Sequence, residues 1–200
     1  MSGPRLETLE RGAGGAALVI EGLCYRYPGG AAFGPLSAQL GPGLHQLVGP
    51  NGSGKTTLLR CMAGELRASA GRCLIDGVDV WRAPSARARL GYLATPADQP
   101  DLLTVDELWR LYAALRGAPG WDGAGLRERL ELPPGLQLSA CSAGQRHRAE
   151  LLAALAGDPA ALLLDEPLAT LDVGSVAMVR ALLRELAASR IVVVTSHLEL

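Results

Sequence analysis

The sequence predicts an α/β fold: a parallel β-sheet covered by helices, with an antiparallel β portion in about the first 45 residues and a small inserted helical subdomain. Aliphatic runs that end at Leu164 and Thr195 flank a helical segment at 175–188. Strands that alternate with helices in this way favour a parallel sheet buried on both faces. Hydrophobic residues make up 48% of the 200 residues and aromatic residues only 4%, so we expect one compact domain with an aliphatic core.

The elements follow in chain order. Residues 1–16 are polar and Gly-rich and predict a loose leader, with the folded domain at 17–200. Runs of β-forming residues between Pro-Gly and Gly-Pro-Gly turns predict the first strands. We expect strands at 17–27, 33–40, 44–48 and 72–75, and a helix at 55–63.

The pattern changes to helical periodicity further along the chain. Segments 107–115 and 126–130 are helical and separated by Pro and Gly, and they indicate a helical subdomain inserted at about 96–145. A strongly helical segment follows at 145–156. The apolar stripe on the first of these helices is interpreted as subdomain core, with a docking surface as the alternative. Its members are Leu108, Leu111, Tyr112 and Leu115.

Charge and hydropathy exclude two classes of protein. The chain has 19 basic and 20 acidic residues and a net charge of −1, whereas a nucleic-acid-binding surface usually needs a basic excess. Its apolar runs fall far short of the ~20 residues that span a bilayer.

Lys55 is the only lysine and Asn51 the only asparagine, and both lie in one loop. That loop has the pattern G-x-x-x-x-G-K-[ST] between a predicted strand and a predicted helix. Its glycines let backbone N–H groups point at phosphate oxygens, and the helix N-terminus favours an anion. Lys55 would reach the β- and γ-phosphates, and the Thr56 hydroxyl would bind Mg²⁺. The candidate ATP-binding residues here are Gly49, Pro50, Asn51, Gly52, Ser53, Gly54, Lys55, Thr56 and Thr57.

Two acids follow the aliphatic run 162–164, at the carboxyl edge of the predicted sheet where ligands bind. Asp165 would complete the Mg²⁺ site and Glu166 would polarise an attacking water. A further cluster of small residues opens the helix at 145–156 and forms a second anion-binding terminus. It consists of Ser142, Ala143, Gly144 and Gln145.

These motifs, with those around Asp172 and His197, occur in the order found in ATP-binding-cassette (ABC) ATPases, which residues 18–198 resemble. The resemblance implies a dimer, homodimeric or pseudo-dimeric, in which Ser142 and Gly144 contact the γ-phosphate bound to the other subunit. It also implies that Tyr27, rather than Tyr25, stacks on adenine. Asp172 would lie in the loop between subunits, and His197 would sense the γ-phosphate and assist Glu166 in catalysis.

Some positions depart from the family pattern. Thr95 stands where the family usually has a Gln that meets the Mg²⁺ shell, and Gln99 is the alternative ligand. We call the cluster 142–145 the signature, after the corresponding motif of the family. Cys141, directly before it, replaces a Leu, and Ala143 within it replaces a Gly. The changes at Thr95 and Cys141 motivate one alternative function, an ATP-binding module that hydrolyses weakly.

The leading hypothesis is the ATP-hydrolysing subunit of an ABC transporter, with ATP and Mg²⁺ as cofactors. It would act at the inner face of the cell membrane, on the cytoplasmic side, beneath separate transmembrane permease subunits. A soluble ABC protein without a transport role is the other alternative. The signature resembles that of haem exporters and segment 91–117 that of multidrug exporters, so cargo and direction stay open.

Overall fold

The computed structural model describes residues 4–13, 15–30, 32–94 and 101–196. The strands are β1 (Arg5–Arg11), β2 (Leu18–Arg26), β3 (Ala32–Leu40), β4 (Gly43–Val48), β5 (Ala70–Ile75), β6 (Val78–Asp79), β7 (Leu90–Leu93), β8 (Ala161–Asp165) and β9 (Ile191–Thr195). The α-helices are α1 (Lys55–Met62), α2 (Pro84–Ala88), α3 (Val105–Leu115), α4 (Ala124–Arg129), α5 (Ala143–Leu155) and α6 (Val173–Ala187), with a 3-10 turn at Leu138–Ala140. The predicted α/β fold is confirmed.

The main sheet has the strand order β1-β4-β9-β8-β7. Strands β4, β9, β8 and β7 run parallel, and β8 and β9 are buried at every position. Continuous aliphatic runs such as 161–164 form such strands because helices cover both faces of the sheet. The carboxyl ends of β4, β8 and β9 therefore lie at one edge of the sheet. The phosphate loop follows β4 at this edge, and the two acids lie at the end of β8.

A second, antiparallel sheet has the order β3-β2-β5-β6. The antiparallel portion expected near the N-terminus is present as β2 and β3, while β4 belongs to the main sheet. Strands β5 and β6, further along the chain, complete the second sheet. Buried residues of this sheet, including Leu18 and Ile75, pack against α1 in one apolar cluster.

The expectation of a loose leader is wrong for Arg5–Arg11, which forms β1 along the edge of the main sheet. Thr8 Oγ1 lies 3.0 Å from the Nδ1 atom of buried His45 on β4, and Glu10 pairs with Arg184 of α6 at 3.2 Å. An edge strand with few buried side chains is held by its backbone pairing with β4. It therefore lacks the alternating apolar pattern by which strands are predicted.

Helices α3 and α4 and the start of α5 lie in the region predicted to be an inserted helical subdomain. Thr104 begins α3 with a capping box in which its hydroxyl and the Glu107 carboxylate each satisfy a backbone N–H. Trp109 and Trp121 meet edge to face with ring centroids 5.4 Å apart, and Trp109 is buried in the larger apolar cluster. Within the described ranges, no helix is long and apolar enough to cross a bilayer.

Candidate nucleotide site

The phosphate loop lies between the end of β4 and the start of α1. Gly54 has a φ of +97°, a left-handed value that favours glycine. A Cβ atom there would lie 2.9 Å from the Phe33 ring. The loop can therefore pack beneath the second sheet only with glycine at this position. No side chain caps the start of α1, which leaves its N-terminus available to an anion.

Lys55 folds back over this loop. Its Nζ donates hydrogen bonds to the carbonyl oxygens of Gly49, at 2.8 Å, and Pro50, at 3.2 Å. The ammonium group is therefore held above the loop backbone, where a phosphate bound to the loop would lie. Ser53 Oγ is buried with no hydrogen-bond partner among the described residues.

Asp165 and Glu166 lie at the carboxyl end of β8, which pairs with β9. Asp165 is 3% exposed and is directly opposite Thr195 in the parallel register of β8 and β9. Thr195 Oγ1 donates to Asp165 Oδ1 at 2.6 Å and accepts from the Glu166 backbone N–H at 2.9 Å. Glu166 has a φ of +51°, an uncommon value for a residue with a side chain. The buried Thr195 hydroxyl thus links the two acids.

The phosphate loop and the acids line one cavity of about 330 Å³. Oxygen ligands from a carboxylate and a hydroxyl suit Mg²⁺, and Asp165 and Thr56 supply both kinds here. The residues present therefore fit a nucleoside triphosphate with its metal ion. The lining residues are Tyr27, Asn51, Gly52, Gly54, Lys55, Thr56, Thr57, Asp165 and Glu166.

Tyr27 and Tyr25 occupy different environments. Tyr27 lines the cavity, and its hydroxyl shares a hydrogen bond with Thr57 Oγ1. Its ring meets that of Tyr25 edge to face at 5.0 Å, and Tyr25 in turn stacks on Phe33 at 6.3 Å. Of the two tyrosines, Tyr27 therefore lines the cavity, and Tyr25 packs between Tyr27 and Phe33.

The signature residues 142–145 lie outside the nucleotide cavity. Ser142 caps α5: its hydroxyl accepts from the Gln145 N–H at 3.2 Å, and Gln145 Oε1 accepts from the Ser142 N–H at 3.0 Å. No residue of 142–145 lines the nucleotide cavity of the same chain. Ala143 is exposed at the first position of the helix. This terminus is therefore exposed and lies outside the chain's own nucleotide cavity.

Asp172 begins α6 close to the signature. Its carboxylate accepts from the Ser175 N–H and hydroxyl, both at 2.9 Å, and these hydrogen bonds lower the pKa of Asp172. A Cβ atom on Gly144 would lie 3.4 Å from the carbonyl oxygen of Thr170. The start of α5 and the segment that leads to α6 therefore form one surface.

Thr195 was not among the site residues predicted from the sequence. A signal was available, because aligning the ends of the two aliphatic strands places Thr195 beside Asp165. Three of the site residues that were predicted, Thr95, Gln99 and His197, lie outside the described residues.

A second cavity, of about 560 Å³, lies between α2 and β7 on one side and α3 and α5 on the other. We call it the subdomain groove; Arg87, Tyr92, Leu115, Arg116 and Glu150 are among its lining residues. It shares no residue with the nucleotide cavity.

The apolar stripe on α3 is buried in one part and exposed in another. Leu108 is fully buried in the core, whereas Leu111 is 44% exposed and Leu115 is 71% exposed. Tyr112 and Leu115 line the groove. The interpretation of the stripe as core therefore holds for Leu108 and is wrong for the exposed Leu111 and Leu115.

Comparison with known proteins agrees with this architecture. Residues 35–169 match the ABC transporter family. The probable multidrug ABC transporter ATP-binding protein YbhF of Escherichia coli is 37% identical over 162 residues, which cover 76% of this chain and 28% of that protein. The taurine import ATP-binding protein TauB of Pseudomonas savastanoi pv. phaseolicola is 36% identical over 171 residues, covering 78% and 62%. The chain thus spans less than two thirds of either relative.

A solved structure shows the same fold. The dimeric post-hydrolysis state of the ATP-binding cassette MJ0796, bound to ADP and Pi, superposes with a TM-score of 0.77 at 22% identity, covering 90% of this chain and 88% of that one. The fold, the phosphate loop and the family match together define an ABC-type nucleotide-binding domain. The chain belongs to the ABC transporter family.

Proposed function

We propose that this chain is the ATP-binding and ATP-hydrolysing subunit of an ABC transporter. The observation that carries the proposal is the cavity that joins the phosphate loop to Asp165 and Glu166. The loop amides and Lys55 would hold the phosphates, and the Tyr27 ring would stack on adenine. Thr56 and Asp165 would hold Mg²⁺, which when bound neutralises charge on the phosphate oxygens.

Glu166 is the proposed general base. Glu166 lines the cavity, and its backbone N–H donates a hydrogen bond to Thr195 Oγ1. From there it would accept a proton from the water that attacks the γ-phosphate. His197 remains the predicted sensor of that phosphate, and Thr95 or Gln99 the predicted link to the metal shell.

Two copies would complete the site. The signature at 142–145 is exposed and does not line the chain's own cavity, which supports a contact with nucleotide held by a second subunit. The MJ0796 cassette is dimeric, which supports this arrangement as a proposal for the present chain. Asp172, beside the signature, would lie in the contact between the copies.

The remaining partner would be a separate transmembrane permease at the cytoplasmic face of the membrane. YbhF is named as a transporter ATP-binding protein and TauB as an import ATP-binding protein. We propose that the subdomain groove receives the permease, since its rim carries the exposed Leu115 and it lies apart from the nucleotide.

The test of the proposed activity is Glu166→Gln. The amide keeps the size of the side chain but cannot accept the proton, so we expect phosphate release to fall by about 10²- to 10⁴-fold with ATP affinity retained. Phosphate release and equilibrium ATP binding are measured on both proteins. A variant that hydrolyses as fast as the parent would refute Glu166 as the base, and a parent without ATPase activity would refute the function.

A further inference from the structure

Arg148 of α5 is a buried cation that has no part in the site described above. The residue is 8% exposed, and it does not line the nucleotide cavity of its own chain. Its Nη1 atom donates hydrogen bonds to Ser175 Oγ of α6, at 3.1 Å, and to Oε2 of Glu131, just after α4, at 3.2 Å. The helix that begins with the signature is therefore bonded through Arg148 to two other parts of the fold.

Glu131 balances the charge of Arg148 only in part. The Glu131 side chain is 72% exposed and that of Arg148 is 10% exposed, so water screens the acid while the cation is largely desolvated. The Arg148 Nε atom is buried with no hydrogen-bond partner among the described residues. A buried ion pair of this kind adds little net stability, and this favours a role for Arg148 in fixing geometry.

Ser175 connects Arg148 to Asp172. Its hydroxyl accepts from Arg148 and donates to Asp172 Oδ2 at 2.9 Å, and its backbone N–H donates to Asp172 Oδ1 at 2.9 Å. Because a hydroxyl has one proton, accepting from Arg148 leaves that proton directed at Asp172. A hydroxyl that accepts from a cation is also polarised into a stronger donor. Since Ser175 is 4% exposed, water competes little for these hydrogen bonds, which end on the Asp172 carboxylate.

The hydrogen bonds join the two helix starts that are proposed to meet a second copy. Arg148 shares α5 with the signature 142–145, and Asp172 begins α6. At the surface, a Cβ atom on Gly144 would lie 3.4 Å from the carbonyl oxygen of Thr170. The hydrogen bond from Arg148 joins the same two helices at buried positions. A close approach at the surface and a hydrogen bond beneath it together restrict the movement of one helix start against the other.

We propose that Arg148 is a positioning residue, which through Ser175 holds Asp172 and the signature in the arrangement that a second copy binds. The inference rests on the proposed function, in which nucleotide brings two copies together. Groups that are already ordered lose less conformational freedom when they associate. Loss of the hydrogen bond between Arg148 and Ser175 should therefore weaken the dimer and leave the affinity of one chain for ATP nearly unchanged.

ATP-dependent dimerisation tests the proposal in the Glu166→Gln background, where hydrolysis is blocked. Sedimentation velocity measures the dissociation constant of the dimer at saturating ATP and Mg²⁺. We expect Arg148→Met and Ser175→Ala each to raise this constant by at least about tenfold. ATP binding at protein concentrations too low for dimers should change by less than about threefold, because neither residue lines the cavity.

The double variant separates positioning from a direct contact of Arg148 with the second copy. If Arg148 acts through Ser175, removing both side chains costs no more than removing one, whereas independent effects multiply in the dissociation constant. Arg129→Met is the matched control, since it removes an ion pair with Glu185 near the other end of α6, and it should leave the dimer intact. Urea unfolding shows that each variant is folded, and Ser175→Ala carries the test if Arg148→Met is too unstable to measure.

An unchanged dimer in Ser175→Ala, multiplying effects in the double variant, or an equal loss in Arg129→Met would each overturn the proposal. So would a Glu166→Gln protein that stays monomeric with ATP. The proposed ATPase activity is judged separately, because it fails only if the parent protein releases no phosphate from ATP.

Discussion

At the scale of single residues, Thr195 is the side chain with the clearest consequence for catalysis. Its hydroxyl is fully buried and lies between Asp165 Oδ1 and the Glu166 N–H. One side chain therefore orients the proposed metal ligand and fixes the backbone of the proposed base. Groups that orient metal ligands in this way typically contribute about 10–100-fold to metal affinity or activity.

We expect Thr195→Val to lower kcat by about 10–100-fold and to raise the Mg²⁺ concentration needed for half-maximal rate. Valine keeps the volume but leaves the Glu166 N–H without its acceptor. Affinity for metal-free ATP should change by less than about threefold, since the phosphate loop is untouched. Steady-state kinetics across Mg²⁺ concentrations and ATP binding measure these quantities.

Thr195→Ser supplies the control, because it restores the hydroxyl and removes only a methyl group. It should recover most of the rate. If Thr195→Val lowered only the stability of the protein, with unchanged kcat and Mg²⁺ dependence, the positioning role would be wrong.

At the scale of elements, Arg116 holds three of them together. It lies just after α3 and donates to carbonyl oxygens at the start of β7 and at the end of α5. Burial lowers the pKa of Arg116 to about 10, so the group stays charged at neutral pH. It donates to carbonyl groups at the end of α5, where intrahelical N–H partners are few.

We expect Arg116→Met to lower the free energy of unfolding by about 2–4 kcal/mol, since it fills similar space but removes three hydrogen bonds from buried carbonyl groups. Urea unfolding measures the change. Arg110→Met on the exposed face of the same helix removes a cation that lies 5.0 Å from the Trp109 ring and should cost less than about 1 kcal/mol. Equal losses in the two variants would refute the role of Arg116.

At the scale of the whole molecule, the outward signature predicts nucleotide-dependent assembly. In the Glu166→Gln background, where hydrolysis is blocked, we expect ATP to convert monomers into dimers. Adding Ala143→Glu should prevent this, because a carboxylate at that exposed position would face the γ-phosphate of the partner. An acid in the first turn suits a helix N-terminus, so the fold should persist.

Light scattering after size-exclusion chromatography, with and without ATP, checks this prediction. Ala124→Glu makes the same change at the first residue of α4 and should leave the dimer intact. Dimers that form with Ala143→Glu would place the signature away from the contact between copies.

The α/β class and the positions of the Gly-rich loop before α1 and of the two acids at the end of β8 were predictable from the sequence, because each depends on residues close together in the chain. The spacing of glycines around Lys55 and the aliphatic run before Asp165 are local patterns with a chemical reason. The prediction failed for β1, whose pairing with β4 is a backbone interaction between distant segments and needs no apolar pattern.

Which side chains meet is set by the tertiary structure. The parallel register of β8 and β9 places Thr195 between the two acids, and the packing of α3 buries Leu108 while Leu115 stays exposed. The same packing places Glu150 in the subdomain groove, where it forms an ion pair with Arg146 at 3.6 Å. Such contacts depend on how strands align and helices pack, and residues far apart in the chain carry no local record of that arrangement.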